Sequence, residues 1–232
     1  MKYYLIIIQR SETGSSSEYA NNTFDLKTAC PVCKTGAQVI APHKLKNINS
    51  TFNRHLFSTY TGDDFISEML FTHLNEFNIN TNSFVKCVNQ KEINIPFYHL
   101  RSDFIMPKPI VDNGFIQYDN HCPKCERDNY SRIGKGGKRL GQVIPFEPED
   151  IEIVYHKSVF NKIKKYDFLF TFHCTARALL DKDGKIKVLP KPLLIVSDHV
   201  KNAFTNFGID YVKYWPVLFE DDYKSETVVP SV

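Results

Sequence analysis

Short apolar runs bounded by turn residues make up much of this chain, and each reads as a strand. The first covers 1–8, where Tyr3, Tyr4, Leu5, Ile6, Ile7 and Ile8 follow one another and the chain then turns polar. Further runs at 37–40, 83–88, 151–155, 168–172, 185–189, 194–196 and 211–217 predict strands, and 158–165 predicts a short helix. Asp181, Lys182, Asp183 and Gly184 have the composition of a hairpin turn. Met106 to Pro109 reads as an extended connector. Residues 11–22 read as a mobile loop, 145–150 as an acidic, proline-rich linker, and the polar tail from Glu220 as frayed. Between 43 and 60 scattered aromatics stand among polar residues without a clear period.

Two stretches carry helical spacing. Leu70, Leu74 and Phe77 fall at i, i+4 and i+7 behind Ser67, a natural N-cap, and Glu68, which suits the positive end of the helix dipole. A shift of 130 positions carries Ser67 onto Ser197 and Glu68 onto Asp198. The same shift carries Phe77 onto Phe207, Asn78 onto Gly208 and Ile79 onto Ile209. Val200, Phe204 and Phe207 repeat the stripe. Asn78 and Gly208 are the two residue types that most readily take a left-handed conformation after a helix. A strand follows each helix, at 83–88 and 211–217. The pattern predicts one strand–helix–strand unit used twice, with both stripes facing a core.

The chemistry in the chain is concentrated in two matching knuckles, Cys30-Pro31-Val32-Cys33 and Cys122-Pro123-Lys124-Cys125. Two thiolates at this spacing on a tight turn can point at one metal ion, and two such pairs complete a tetrahedral four-cysteine zinc site. Proline fits a reverse turn in both. In an ordinary zinc ribbon the pairs stand roughly 15–20 residues apart; here residues 34–121 intervene, so the site would join segments distant in sequence. The competing reading is two unrelated turns with buried or redox-active thiols. Cys87 and Cys174 lie among strand-like apolar residues and read as buried, inert thiols.

Composition narrows the field only a little. The 232 residues suffice for a substantial core, and a net charge of +3 does not point to nucleic acid or a membrane surface. The opening apolar run is too short for a secretory signal or a membrane span. A cytoplasmic location follows as the expectation, and in a reducing compartment cysteines favour metal ligation over disulfides.

No assembled catalytic set is visible. The segment Gly134-Lys135-Gly136-Gly137-Lys138-Arg139 lacks the order of a phosphate-binding loop and reads as a glycine-rich turn with solvated charges, though it is the best basic patch in the chain. His121 abuts Cys122, but four thiols already fill a tetrahedron. His173 and Cys174 are strand neighbours and would point to opposite faces. Asp63-Asp64 and Asp221-Asp222 read as carboxylate pairs of the sort found on any surface or helix start. The expectation is a protein that is not an enzyme.

Two C-P-x-C knuckles separated by a long insert resemble the double-CXXCG proteins, found among immunity-type proteins of bacterial polymorphic toxin systems. The segment from Leu194-Ile195-Val196-Ser197-Asp198 through Phe207-Gly208-Ile209 to Tyr214-Trp215-Pro216-Val217 resembles the closing segment of that group. The family has glycine after the second cysteine of each knuckle; Lys34 and Glu126 stand there. The resemblance implies a protein that binds and neutralises a cognate protein toxin, with structural Zn2+ at Cys30, Cys33, Cys122 and Cys125 and no catalysis of its own. The alternative is a zinc-ribbon nucleic-acid binder using Lys135, Lys138 and Arg139 beside Tyr130. The predicted fold class is α+β, with mixed sheets, a split four-cysteine zinc-ribbon knuckle and two similar strand–helix–strand units. Residues 1–145 would form an N-terminal α+β region holding the knuckles (30–33 and 122–125) and an inserted unit at 34–121. Residues 146–232 would form a C-terminal α+β unit packed against it.

Overall fold

The computed structural model describes residues 1–8, 22–46, 48, 53–59, 62–102, 104–113, 118–130, 151–175, 179–180, 182–183 and 185–221. The loop expected at 11–22 (apart from residue 22), the basic segment at 134–139, the linker at 145–150 and the tail beyond 221 lie outside these residues.

The fold is mixed α+β. Its elements run β1 (Tyr3–Ile7), β2 (Phe24–Asp25), β3 (Gln38–Val39), β4 (Leu56–Ser58), β5 (Asp64–Ser67), α1 (Glu68–Glu76), β6 (Val85–Val88) and β7 (Asn94–His99). Then come β8 (Val111–Asn113), β9 (Tyr118–His121), β10 (Asp128–Tyr130), β11 (Glu152–Tyr155), α2 (Lys157–Ile163) and β12 (Phe168–Thr175). The chain closes with β13 (Leu179–Leu180), β14 (Ile186–Val188), β15 (Lys191–Ser197), α3 (Asp198–Phe207) and β16 (Lys213–Phe219).

An eight-stranded sheet has the order β8-β11-β16-β1-β15-β12-β10-β9, and a four-stranded sheet has the order β4-β5-β7-β6. The hairpins β2–β3 and β13–β14 stand apart. Strands from both sides of residue 145 join the larger sheet, with β1 at its middle between β15 and β16. The expected boundary there falls outside the described residues.

Period-2 alternation explains how the central strands of the larger sheet are buried on both faces. Ile6, Leu194, Val196 and Phe168 point to one core, while Leu5, Ile195 and Leu169 point to another that also takes Val159 and Ile163 of α2. The first core is shared. It holds Leu70 and Leu74 of α1, Val200, Ala203 and Phe204 of α3, and Leu56 and Ile66 of the smaller sheet. The two helices therefore lie between the two sheets and touch each other, with the His73 ring Nε2 3.1 Å from the Ala203 carbonyl. No helix among the described residues is long and apolar enough to cross a membrane.

Both predicted helix starts and stops are present. The Ser67 and Ser197 hydroxyls accept from the Leu70 and Val200 amides, each at 3.2 Å. Asn78 and Gly208 take positive φ, 55° and 90°. The amides of Ile79 and Ile209 reach back to the carbonyls of Leu74 and Phe204 at 3.0 and 2.9 Å, the closing bond of a Schellman turn.

Candidate metal centre

Each cysteine knuckle sits at the tip of a short hairpin. In the first, β2 and β3 pair Phe24 with Val39 and Asp25 with Gln38. In the second, β9 and β10 pair Asp128 with His121 and Asn129 with Asn120, at the edge of the larger sheet. The knuckle backbones match. The Lys34 amide donates to the Cys30 carbonyl and the Cys30 amide to the Thr35 carbonyl, at 2.9 and 2.8 Å. Glu126 and Cys122 repeat both bonds with Cys122 and Arg127 at 2.9 and 3.0 Å. Lys34 and Glu126 have φ of 64° and 59°. The glycine that the resemblance would place there is replaced by residues that adopt the left-handed conformation anyway, at a steric cost of about 1–2 kcal/mol each.

The four expected cysteines come together. Cys30 and Cys122 sulfurs lie 3.7 Å apart, and Cys33 and Cys125 sulfurs 3.4 Å apart. Both distances far exceed a disulfide bond of about 2.05 Å, and they approach the edge of about 3.8 Å set by four sulfurs at 2.3 Å from one zinc ion. The set Cys30, Cys33, Cys122 and Cys125 could hold a metal ion.

The surroundings favour thiolates on one side of the cluster. Burial opposes ionisation of Cys30, but the backbone N–H groups of Cys33 and Val32 outweigh it and bring the thiol down to about 6. Cys122 is lowered in the same way, against burial, by the N–H groups of Cys125 and Lys124. Burial pushes Cys33 up to about 12, although Thr35 Oγ1 lies 2.8 Å from its sulfur. Four thiols this close cannot all ionise without a cation among them, because each new negative charge raises the next pKa. A bound metal would supply that charge. Cys87 and Cys174 are not members of this set and are buried; burial pushes Cys174 up to about 12 and Cys87 further.

A second cluster was not legible in the sequence. His43, Asp63 and His99 are all buried, and one potential ligand atom from each lies within 4.8 Å of the others. Asp63 is therefore not the surface carboxylate that its pairing with Asp64 suggests: it is only 4% exposed and meets the Lys191 ammonium. His99 Nε2 lies 3.5 Å from Asp63 Oδ1. Burial pulls His99 down to about 3, against the pull of Asp63, so its imidazole is neutral near neutral pH. Asp63 is held well below the usual carboxylate range: burial opposes ionisation, but the Lys191 ammonium and the hydrogen bond from His99 overcome it. These residues stand 20 and 36 positions apart, without a motif spacing. The one signal available was a histidine closing an alternating strand, β7.

The chain matches no protein-family model, no curated protein and no solved structure. The candidate metal centre is thus defined by its own geometry: four thiols from two hairpins, 92 residues apart, gathered to within the span of one ion.

Proposed function

We propose that this chain is a binding protein of the immunity type, which captures and neutralises a cognate toxin domain, and that its four-thiol cluster holds a structural zinc ion. The carrying observation is the closed donor set. Four thiolates fill a tetrahedral ion and leave no position for water or substrate, so the ion serves as a staple between a hairpin early in the chain and the edge of the larger sheet. The resemblance of the paired knuckles and of the closing segment to immunity-type proteins supplies the partner class.

Co-expression with the products of the neighbouring open reading frames tests the function, since a cognate toxin domain would be among them. A 1:1 complex together with rescue of cells from the toxin is the expected result. A toxin that stays active and elutes separately overturns the reading. The staple has its own test. Cys30→Ser and Cys122→Ser should each abolish stoichiometric zinc and lower the unfolding free energy by several kcal/mol, read by metal analysis and denaturant melts. Structural zinc contributes about 10 kcal/mol or more in small peptides, and less where a large core already supports the fold. Zinc-free protein with an unchanged melt would remove the staple.

The hairpin pairing at both knuckles also suits a zinc ribbon on nucleic acid, with Lys34 and Lys124 on the knuckles themselves. That reading requires affinity for DNA or RNA that falls steeply with salt. Equal, weak retention of all oligonucleotides across a salt series removes it.

A further inference from the structure

The His43–Asp63–His99 cluster has the makings of a second metal site, separate from the thiols. Three different segments supply it. Asp63 stands just before β5, at the end of a turn in which the Thr59 amide donates to the Asp63 carbonyl at 2.8 Å. His99 is the last residue of β7 and pairs with Phe65 on β5. His43 is held by the edge of β6, where the Val88 amide donates to its carbonyl at 3.1 Å. The rings are fixed by packing: His99 stacks on Phe65 at 5.1 Å, and His43 meets both Phe65 at 5.1 Å and His99 at 5.3 Å. Such rigidity holds ligands in place before an ion arrives.

The donor chemistry is specific. Two imidazoles and one carboxylate suit divalent first-row ions, zinc foremost, rather than the all-oxygen sites of calcium or magnesium. The hydrogen bonding of the cluster is incomplete, because the buried Nδ1 of His99 has no hydrogen-bond partner. A buried polar atom left unmatched is destabilising, and a bound ion would use it. One cation already touches the carboxylate: Lys191 reaches Asp63 from β15 with its ammonium 4.2 Å from the centre of the Phe24 ring. We propose that His43, Asp63 and His99 form a second, nitrogen- and oxygen-ligated site for a divalent first-row metal ion, and that Lys191 competes with that ion for Asp63.

Phe24 belongs to the hairpin carrying the first knuckle, and its ring lies 6.4 Å from that of His99. The hairpin that carries the first knuckle therefore also packs against the histidine cluster, yet the two centres differ in every donor, which makes them separable by experiment. Metal content and cobalt absorption of the purified full chain provide the test. Cobalt on four thiolates gives intense sulfur-to-metal charge-transfer bands; cobalt on nitrogen and oxygen ligands gives only weak ligand-field bands.

Two ions per chain are expected. Cobalt added after the thiol bands saturate should bring in the weak bands alone. His43→Ala with His99→Ala should remove the second ion and leave the thiol bands intact, and Asp63→Asn, close in shape, should do the same if the double variant fails to fold. Lys191→Met should tighten the second ion about tenfold by removing its competitor. One ion per chain, no new bands in the unaltered protein beyond thiol saturation, and no gain in Lys191→Met would overturn the site.

Discussion

In the smaller sheet, the strand between β5 and β6 is β7, which follows them in the chain; in the larger sheet, the strand between β15 and β16 is β1, which opens it. The surroundings are otherwise alike. Each central strand runs antiparallel to both neighbours. On the far side of β5 lies β4, on the far side of β15 lies β12, and both pairings are antiparallel. The likeness reaches single bonds. The Ser67 amide donates to the His55 carbonyl at 2.9 Å, just before β4, and the Ser197 amide to the Asp167 carbonyl at 3.0 Å, just before β12. The two units are thus one arrangement with its central strand taken from opposite ends. A capped helix and its flanking strands are specified locally, while the strand that completes the sheet is recruited by geometry from wherever the chain offers a matching apolar run.

The units differ at their caps. The Ser197 hydroxyl donates to the Asp167 carboxylate at 2.7 Å, whereas Ser67 Oγ lies 2.8 Å from the Nδ1 ring nitrogen of His55. A charge-assisted bond beside a helix N-terminus is the stronger of the two.

The largest test of the comparison strikes the shared core from each helix in turn. Leu70→Asp and Val200→Asp each place a carboxylate at a fully buried position facing the same shared core. Both should unfold the protein, costing about 4 kcal/mol or more, as read by circular dichroism and solubility. A folded variant at one position only would break the equivalence of the helices.

Next come the caps. Ser197→Ala should cost about 2 kcal/mol and Ser67→Ala about 1 kcal/mol in denaturant melts, because only the former also leaves a carboxylate without its hydroxyl donor. Equal losses would show that the carboxylate adds nothing to the α3 cap.

The smallest effects belong to the left-handed positions. Gly208→Ala should cost about 1 kcal/mol, purely torsional, since an added Cβ would meet no atom within 4 Å. Asn78→Gly, Lys34→Gly and Glu126→Gly should each change stability by less than about 1 kcal/mol, in the stabilising direction, as torsional relief slightly exceeds the added chain entropy. A loss at Lys34 or Glu126 would mean that those side chains contribute to the knuckle beyond its turn.

Much of the local structure was legible. Ser67 and Ser197 announce helix starts by their chemistry, Asn78 and Gly208 announce stops by their tolerance of positive φ, and the run from Tyr3 to Ile8 announces a strand buried on both sides. Other strands were hidden. β9 (Tyr-Asp-Asn-His) and β10 (Asp-Asn-Tyr) carry few apolar residues because they form a hairpin at the edge of the sheet, and β7 carries Pro96 within an otherwise alternating stretch. The polar region at 43–60, which showed no period, contains the short β4 and the segment that presents His43.

The sequence by itself determined the helices, their caps, most of the apolar strands and the four cysteines able to share one ion. These features depend on torsional preference, residue spacing and donor type, all of which act over a few neighbouring residues. Only the tertiary structure decided that β1 lies between β15 and β16, that the two knuckles meet, and that His43, Asp63, His99 and Lys191 converge in a buried cluster. Those outcomes depend on which apolar faces bury one another, and the physical reason is that such burial acts between residues tens to more than two hundred positions apart, where spacing along the chain carries no trace of proximity.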